Sequence, residues 1–497
     1  MKIRVTLLNV VSSLILQVIS IISGLIVPRI ILSCFGSSIN GLTVSINQFL
    51  SYMTLIEGGI TGVIAANLYK PLVENDENRI SSILVTARSF YRKIALVLIA
   101  YSLSIAFIYP LVVETGYNYW YVVVLTIILS FAGLLEYFFS ITLTTLLNAD
   151  KKVFVISFTK IGMSLGNFAL VFIITKVYPD IMILKIATSI LFVFQPIIYA
   201  LYIRNHYKIN WQASKDNNLI KERWNGFAIN FAAFIHGSTD VTILTFFCNL
   251  KMVSVYSIYF LIVSKLEILI HSVAAGIEPT IGHTYARNNL DELNKNLDLF
   301  EYIIFSLVGV LFSITGMLIV PFVMMYTKGI TDADYHQPLL ASLLVLAEAL
   351  YLVRYPHVSL AYSANKFKEI TIPAYVEAAI NIIVSLILVN LLGVAGVAVG
   401  TVAGMLYRNI FQVYFSTKLI PNRSQIIFYK KFFITIFMSV LGIYFGLFIY
   451  PFKDYRLITW IIHGIVYSVI FVILYIIISL FFYRKEIVDL RDYLRKR

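Results

Sequence analysis

Residues 236–271 read HGSTDVTILTFFCNLKMVSVYSIYFLIVSKLEILIH. Two apolar runs, each able to serve as part of a bilayer span, meet at a short turn from Asn249 to Lys251, and Asp240, Lys265 and Glu267 lie inside them. An ionised side chain near mid-membrane costs about 2.5 to 3.5 kcal/mol on insertion scales, so such residues usually face a bundle interior or a watery cavity. The stretch therefore implies a membrane-spanning helical bundle and marks a candidate functional site.

The rest of the chain agrees. At 497 residues, 59% hydrophobic and only 13% charged, with a mean hydropathy of +0.85, it is far from the composition of a soluble domain. The N-terminal apolar run continues to Leu32 without a small-residue cleavage site, so it reads as a first span and not a removed signal.

Apolar runs long enough to cross the hydrocarbon as helices fall at 7–32, 40–69, 94–113, 119–148, 153–175, 181–203, 225–248, 252–281, 300–326, 338–363, 370–391, 394–417, 432–450 and 457–483. These fourteen spans predict loops on alternating sides, and the positive charges test the count. Of the 39 Lys and Arg, 28 fall in the segments on the side of both termini, 5 on the other side and 6 within spans. Since Lys and Arg concentrate on the cytoplasmic side, both termini are expected there. The basic tail from Arg484 then reads as a topology anchor against an anionic leaflet. Nucleic-acid binding is not expected despite the net charge of +13, because no recognition fold is present.

A weak internal repeat is visible. NADKKVFVISFTKIGMSLGN (148–167) resembles SANKFKEITIPAYVEAAIN (363–381), and SINQF (45–49) resembles SIYFL (257–261), at offsets of about 215 and 212. Spans 1–6 and 7–12 are thus expected to form two halves of the same orientation, since six is even. The expected organisation is an N-lobe at 1–205, a cytoplasmic linker at 206–224, a C-lobe at 225–420, and spans 13 and 14 with the basic tail at 421–497.

The embedded cations are Arg29, Lys160, Lys185, Lys265, Arg354 and Arg408. Arg29 and Lys185 lie towards span ends, within snorkelling reach of the interface, and Lys160 is intermediate. Lys265, Arg354 and Arg408 sit near mid-span. The embedded acids are Glu57, Glu136, Asp240, Glu267, Glu278, Glu348 and Glu377. Residues four apart on a helix share a face, so His236 with Asp240, Glu267 with His271, and Glu377 with Asn381 form polar stripes. Such stripes either line a cavity or form buried pairs that hold helices together. Fixed cations near mid-membrane suit a phosphate or diphosphate group, because Arg offers paired hydrogen bonds and Lys a point charge.

Catalytic motifs are lacking: there is no HExxH, GxSxG, Walker loop or Cys/His cluster with metal spacing, and no enzyme activity is expected. The glycines of EGGITG (57–62) and GVAGVAVGTVAG (393–404) lie in spans, where small residues permit close helix approach. Cys34 and Cys248 both fall near predicted outer helix ends. A disulfide between them is open, but two unpaired residues are expected.

The segments GLTVSINQFLSYMTLIEGGI, AANLYKPLVENDENRISSI, STDVTILTFFCNLKMVSVYSIY and EAAINIIVSLILVNLLGVAGVAVGT resemble the polysaccharide flippase (Wzx-type) branch of the multidrug/oligosaccharidyl-lipid/polysaccharide exporter superfamily. The resemblance runs from Ile39 to Phe411. It implies two six-helix lobes around a V-shaped alternating-access cavity, with two extra C-terminal helices, in the bacterial cytoplasmic membrane. It also implies a substrate of undecaprenyl diphosphate-linked sugar units, moved to the outer leaflet for cell-surface polysaccharide synthesis beside a polymerase and glycosyltransferases. The substrate-binding cations would be Arg29, Lys160, Lys265, Arg354 and Arg408. Glu57, Asp240, Glu267, Glu348 and Glu377 are the candidate coupling or cavity acids. No cofactor is implied beyond proton or sodium coupling. Two rival functions are a cation-coupled multidrug exporter of the same superfamily and a membrane-embedded polysaccharide polymerase or ligase. The embedded cations disfavour the first, and the short outer loops disfavour the second.

Overall fold

The computed structural model of the chain describes residues 2–57, 60–216, 238–421, 423–449 and 456–495. Among these, every regular element is helical. The first is α1 (Lys2–Ser51), whose 50 residues would rise about 75 Å if straight, over twice the hydrocarbon thickness of about 30 Å. It is two helices in one. Gly36 breaks it with φ 79°, ψ 175°, a conformation open to a residue without Cβ. This break separates spans 1 and 2, and span 2 continues through α2 (Met53–Glu57) and α3 (Ile60–Glu74). Then come α4 (Glu77–Val112), α5 (Tyr119–Leu135), a π-helical turn (Glu136–Ser140), α6 (Ile141–Ala149), α7 (Val153–Val177) and α8 (Ile181–His206).

In the second half, α9 covers 238–247, followed by α10 (Leu250–Ala286), α11 (Leu290–Tyr326), α12 (Pro338–Val353), α13 (Tyr355–Ser363), α14 (Phe367–Leu392) and α15 (Val394–Leu419). Last are α16 (Gln425–Tyr444), α17 (Leu457–Phe482) and the strongly amphipathic α18 (Arg484–Arg495). Twelve helices among the described residues are long and apolar enough to cross a membrane, one of them being the 52-residue Arg4–Leu55 segment that contains the Gly36 break. Span 7 is represented by α9; its first part, with His236, lies outside the described residues. The chain is a multi-pass, all-helical membrane protein close to the fourteen spans expected.

The helices overrun the predicted spans. The hydrophilic stretch from Lys70 to Lys93 is mostly helix, because α4 starts at Glu77, where the Asp76 side chain accepts from the Arg79 backbone N–H. A helix satisfies its own backbone groups in either solvent, so hydropathy marks the bilayer boundary and not the helix end.

The repeat is written in the turns. Left-handed residues recur at Asn75 and Asn288, Gly116 and Gly329, and Lys151 and Asn365, pairs separated by 213, 213 and 214 positions. The cap after the first pair also repeats, with Asn289 accepting from the Glu292 N–H as Asp76 does from Arg79. Mid-span breaks correspond too: the π-turn at Glu136–Ser140 in span 4, and Arg354 between α12 and α13 in span 10.

The described residues divide into two compact units. The first contains α1–α8 together with Asn249–Ser254. Its core is built from Leu42, Ile46, Leu68, Leu84, Tyr91 and Leu146, and Asn40 Nδ2 donates to Ser254 Oγ at 2.8 Å. The segment after α8 is tied down: the Asn210 N–H donates to Ser81 Oγ, Ser82 Oγ donates to the Ser214 carbonyl, and Arg79 pairs with Asp216 at 2.8 Å.

The second unit contains α9, the rest of α10 and α11–α18. Here α14 packs on α15, while α16 and α17 pack on α11. Spans 13 and 14 thus belong to the body of this unit. Cys34 and Cys248 are both free thiols.

Candidate functional site

In the second unit, the glycine-rich run of α15 decides where the polar groups meet. Gly396, Gly400 and Gly404 lie four apart, on one face, against α14. A Cβ on Gly396 would strike the Leu388 carbonyl, and one on Gly400 would strike Ser385 Oγ. At Gly404 it would come within 3.0 Å of the Glu377 carbonyl. Small residues here let the backbones approach, as expected for packing glycines. The approach also presses the α14 stripe Glu377–Asn381–Ser385 against α15.

At one end of that stripe, Glu377 Oε2 receives two guanidinium groups. Arg354 Nη1 stands 3.4 Å away and Arg408 Nε 3.6 Å away. Arg354 also lies over the Tyr351 ring at 4.6 Å, and Arg408 Nη1 donates to the Ile370 carbonyl at 3.0 Å. All three charged side chains are buried or nearly so, and one carboxylate faces two cations. Two guanidiniums sharing one carboxylate leave donor capacity that suits an anion.

At the other end is Asp240, 5% exposed on α9. Tyr256 donates to Asp240 Oδ2 at 2.6 Å, Thr401 Oγ1 donates to the same oxygen at 2.9 Å, and Thr239 Oγ1 donates to Oδ1 at 3.4 Å. Asn381 Nδ2 donates to Thr401 Oγ1, and Ser385 Oγ donates to Asn381 Oδ1, both at 3.2 Å. A polar chain thus runs from Asp240 through Thr401 to Asn381 and Ser385 on α14, with Glu377 one turn from Asn381 on the same face. Among the described residues, no cationic side chain lies within ion-pair distance of Asp240. A buried carboxylate served only by neutral donors is costly unless a proton or a small cation neutralises it.

The remaining predicted residues of this unit are spread more widely. Glu267 lies 3.5 Å from His271 Nε2, with both side chains partly exposed. Tyr355 donates to Glu278 at 3.2 Å. Glu348 is buried with one carboxylate oxygen unsatisfied. Lys265 is half-buried on α10.

In the first unit, Glu57 accepts from Tyr137 at 3.3 Å and from Thr61, which is itself 2.7 Å from the Tyr91 hydroxyl. Glu136 and Lys160 line a separate cavity of about 390 Å³ with Ser164, Asn167 and Gln195. The π-turn positions Glu136 there, on the same local distortion that interrupts span 4. Arg29 sits on α1 ahead of the Gly36 break, half-buried, and Lys185 is half-buried on α8. Glu136, an embedded acid outside the candidate coupling set, shares this cavity with the candidate cation Lys160.

Sequence reasoning missed one cluster altogether. Glu301, fully buried on α11, is 2.6 Å from Arg423 Nη2, 3.0 Å from Lys431 Nζ and 2.9 Å from His357 Nε2. Asp298 lies 3.0 Å from Arg423, and Glu486 of α18 is 3.4 Å from Lys431. Burial opposes the Arg423 charge, but the Glu301 and Asp298 carboxylates outweigh it and hold its pKa above the ordinary value. These residues sit at predicted span ends, where a charge reads as a loop charge. The packing of α13, α16 and α18 on α11 brings them together.

Among the described residues, no group of three or more His, Cys, Asp or Glu side chains is arranged to hold a metal ion. The sequence matches no protein-family model and no curated protein sequence. Solved structures do match. The lipid II flippase MurJ, in an inward closed conformation, superposes with a TM-score of 0.71 at 16% identity, covering 97% of this chain and 100% of that one. The chain has the fold of MurJ. An inward-facing multidrug resistance MATE family transporter of the MOP superfamily matches with a TM-score of 0.60 at 13% identity, over 81% of this chain and 96% of its own. The MATE multidrug transporter DinF-BH matches with a TM-score of 0.61 at 14% identity, over 84% of this chain and 96% of its own. At such identities the likeness shows a shared fold and leaves function to the residues of the site.

Proposed function

We propose that the chain is a flippase for undecaprenyl diphosphate-linked oligosaccharide units, of the Wzx type, working in the bacterial cytoplasmic membrane by alternating access. The observation that carries this reading is the match to the lipid II flippase over 97% of the chain, whereas the MATE structures, matched almost in full, cover 81% and 84% of it. The charge at the α14–α15 stripe points the same way. Two guanidiniums against one carboxylate suit a diphosphate better than a cationic drug. Lys265, half-buried on α10 of the same unit, adds a further cation for the sugar head, while the polyprenyl tail stays in lipid.

In this mechanism the diphosphate engages Arg354 and Arg408 in competition with Glu377. Asp240 takes up a proton or sodium ion, and its occupancy changes the contacts of Thr401 and Asn381, one helical turn from Glu377 on the same face of α14. Substrate and cation are thereby coupled through a single stripe, because each binds the two access states with different strength. Moving one charge through 100 mV is worth about 2.3 kcal/mol, enough to bias such an equilibrium some fifty-fold.

The test is deletion of the gene in a host that builds the glycan. Lipid-linked oligosaccharide should accumulate on the cytoplasmic leaflet, with restoration by the wild-type chain. Unchanged glycan export together with heightened drug susceptibility would favour the multidrug exporter instead, a reading the DinF-BH likeness keeps in play.

A further inference from the structure

The first unit holds a two-part cavity that the transport reading does not use. Its apolar part, about 380 Å³, lies between α5–α6 and α8 and is walled by Phe138, Phe139, Val193 and Ile197. Leu143, Ala200 and Trp211 line this part and also the second, of about 760 Å³, which holds Arg204, Lys208 and the acid Glu77. Arg88 stands at the junction, its guanidinium 4.8 Å from the Trp211 ring centroid. Only Leu135 is shared between the apolar part and the cavity of Glu136 and Lys160.

The wall that bears Trp211 is built, not incidental. Residues 207–216 run back along α4, held by the hydrogen bonds to Ser81 and Ser82, by the Asp216 N–H donating to Thr86 Oγ1 at 2.9 Å, and by the Arg79–Asp216 pair. This strap sets Trp211 and Lys208 beside Arg88 of α4 and Arg204 of α8 at the rim of an apolar slot. Phe139 and Ile197 are 49% and 45% exposed on helices whose outer faces meet lipid tails. Among the described residues, Arg88, Arg204 and Lys208 have no carboxylate at ion-pair distance. Apolar walls towards the bilayer, an interfacial Trp and unneutralised cations on the Lys/Arg-rich side together match one kind of molecule.

We propose that this slot binds an anionic glycerophospholipid of the Lys/Arg-rich leaflet, with an acyl chain along Phe138, Phe139 and Ile197 and the phosphate held by Arg88, Arg204 and Lys208. The lipid fastens the strap to α4 and α8. It is separate from the transported substrate and does not depend on the flippase reading.

The test is thermal unfolding of the purified full chain in detergent, titrated with dioleoylphosphatidylglycerol, dioleoylphosphatidylcholine or inorganic phosphate. Phosphatidylglycerol should raise Tm saturably, and phosphatidylcholine and phosphate should not. The variant Arg88→Gln/Arg204→Gln/Lys208→Gln should need about tenfold more phosphatidylglycerol or beyond for the same rise, as loss of charge-assisted contacts requires. Ala200→Trp fills the slot but keeps every cation, and should lose the response as well. It decides the matter if the triple variant fails to fold. Arg484→Gln/Lys485→Gln, on α18, should respond as wild type. An unaltered response in Ala200→Trp, or equal protection by phosphatidylcholine or by phosphate alone, would overturn the proposal.

Discussion

Arg354 and Arg408 approach a single oxygen, Oε2 of Glu377, at 3.4 and 3.6 Å. Arg354 stands at the break between α12 and α13 and Arg408 on α15, and they leave one carboxylate shared between two buried cations. Either arginine can leave without stranding the acid, but the acid cannot leave without stranding two cations.

That asymmetry separates stability from transport. Glu377→Gln should destabilise the protein by about 3 kcal/mol, because uncompensated buried charge remains. Arg354→Gln keeps the Arg408–Glu377 pair and should cost less than about 1.5 kcal/mol, while slowing flipping about tenfold or more. Thermal melts and a flipping assay on the same preparations check both outcomes.

Asp240→Asn should fold normally, since its side-chain oxygen still accepts from Tyr256 and Thr401. In the proposed mechanism it removes the group that takes up the proton or cation. Transport by this variant should lose its dependence on an imposed proton or sodium gradient, measured by substrate movement in proteoliposomes with and without that gradient. Retained gradient dependence would place coupling elsewhere.

The glycine face of α15 gives a packing test. Gly400→Ala sets a methyl against Ser385 Oγ and the Asn381 carbonyl, and should cost about 1 to 3 kcal/mol through overpacking. Gly62→Ala meets nothing within 4 Å and should be neutral or slightly stabilising. A pair of melting curves distinguishes them.

Among the described residues, Glu301→Gln leaves Arg423 and Lys431 with only Asp298 and Glu486 as acidic partners, and His357 with none. A loss of about 3 to 5 kcal/mol is expected. Denaturant unfolding should show it, and the double change Glu301→Gln/Lys431→Met should recover part of it. Full stability in Glu301→Gln alone would mean that α16 is held on α11 by apolar packing.

How much of this was legible beforehand follows from the range of each signal. Hydropathy is a long, redundant pattern, so the spans could be read from single residues upward. The repeat showed faintly in NADKK and SANKF because its carriers are backbone angles: Lys151 and Asn365 share a left-handed turn but not a side chain. The Glu377–Asn381 stripe was readable from helical spacing. Its partners were not, since the contacts of Thr401 with Asp240 and of Arg408 with Glu377 depend on how closely α15 approaches α14. The Glu301 cluster was hidden for a different reason. Its members stand at the edges of hydrophobic runs, where sequence alone assigns charges to water.

The most direct measurement is flipping of an undecaprenyl diphosphate-linked oligosaccharide by the purified full chain in proteoliposomes, read by access of an external glycan-cleaving enzyme to the sugar. The wild-type protein should expose the substrate across the bilayer, and Arg354→Gln should do so about tenfold more slowly or worse at equal reconstituted protein. No flipping by the wild type, or equal rates in both proteins, would contradict the assignment of the α14–α15 stripe as the diphosphate site.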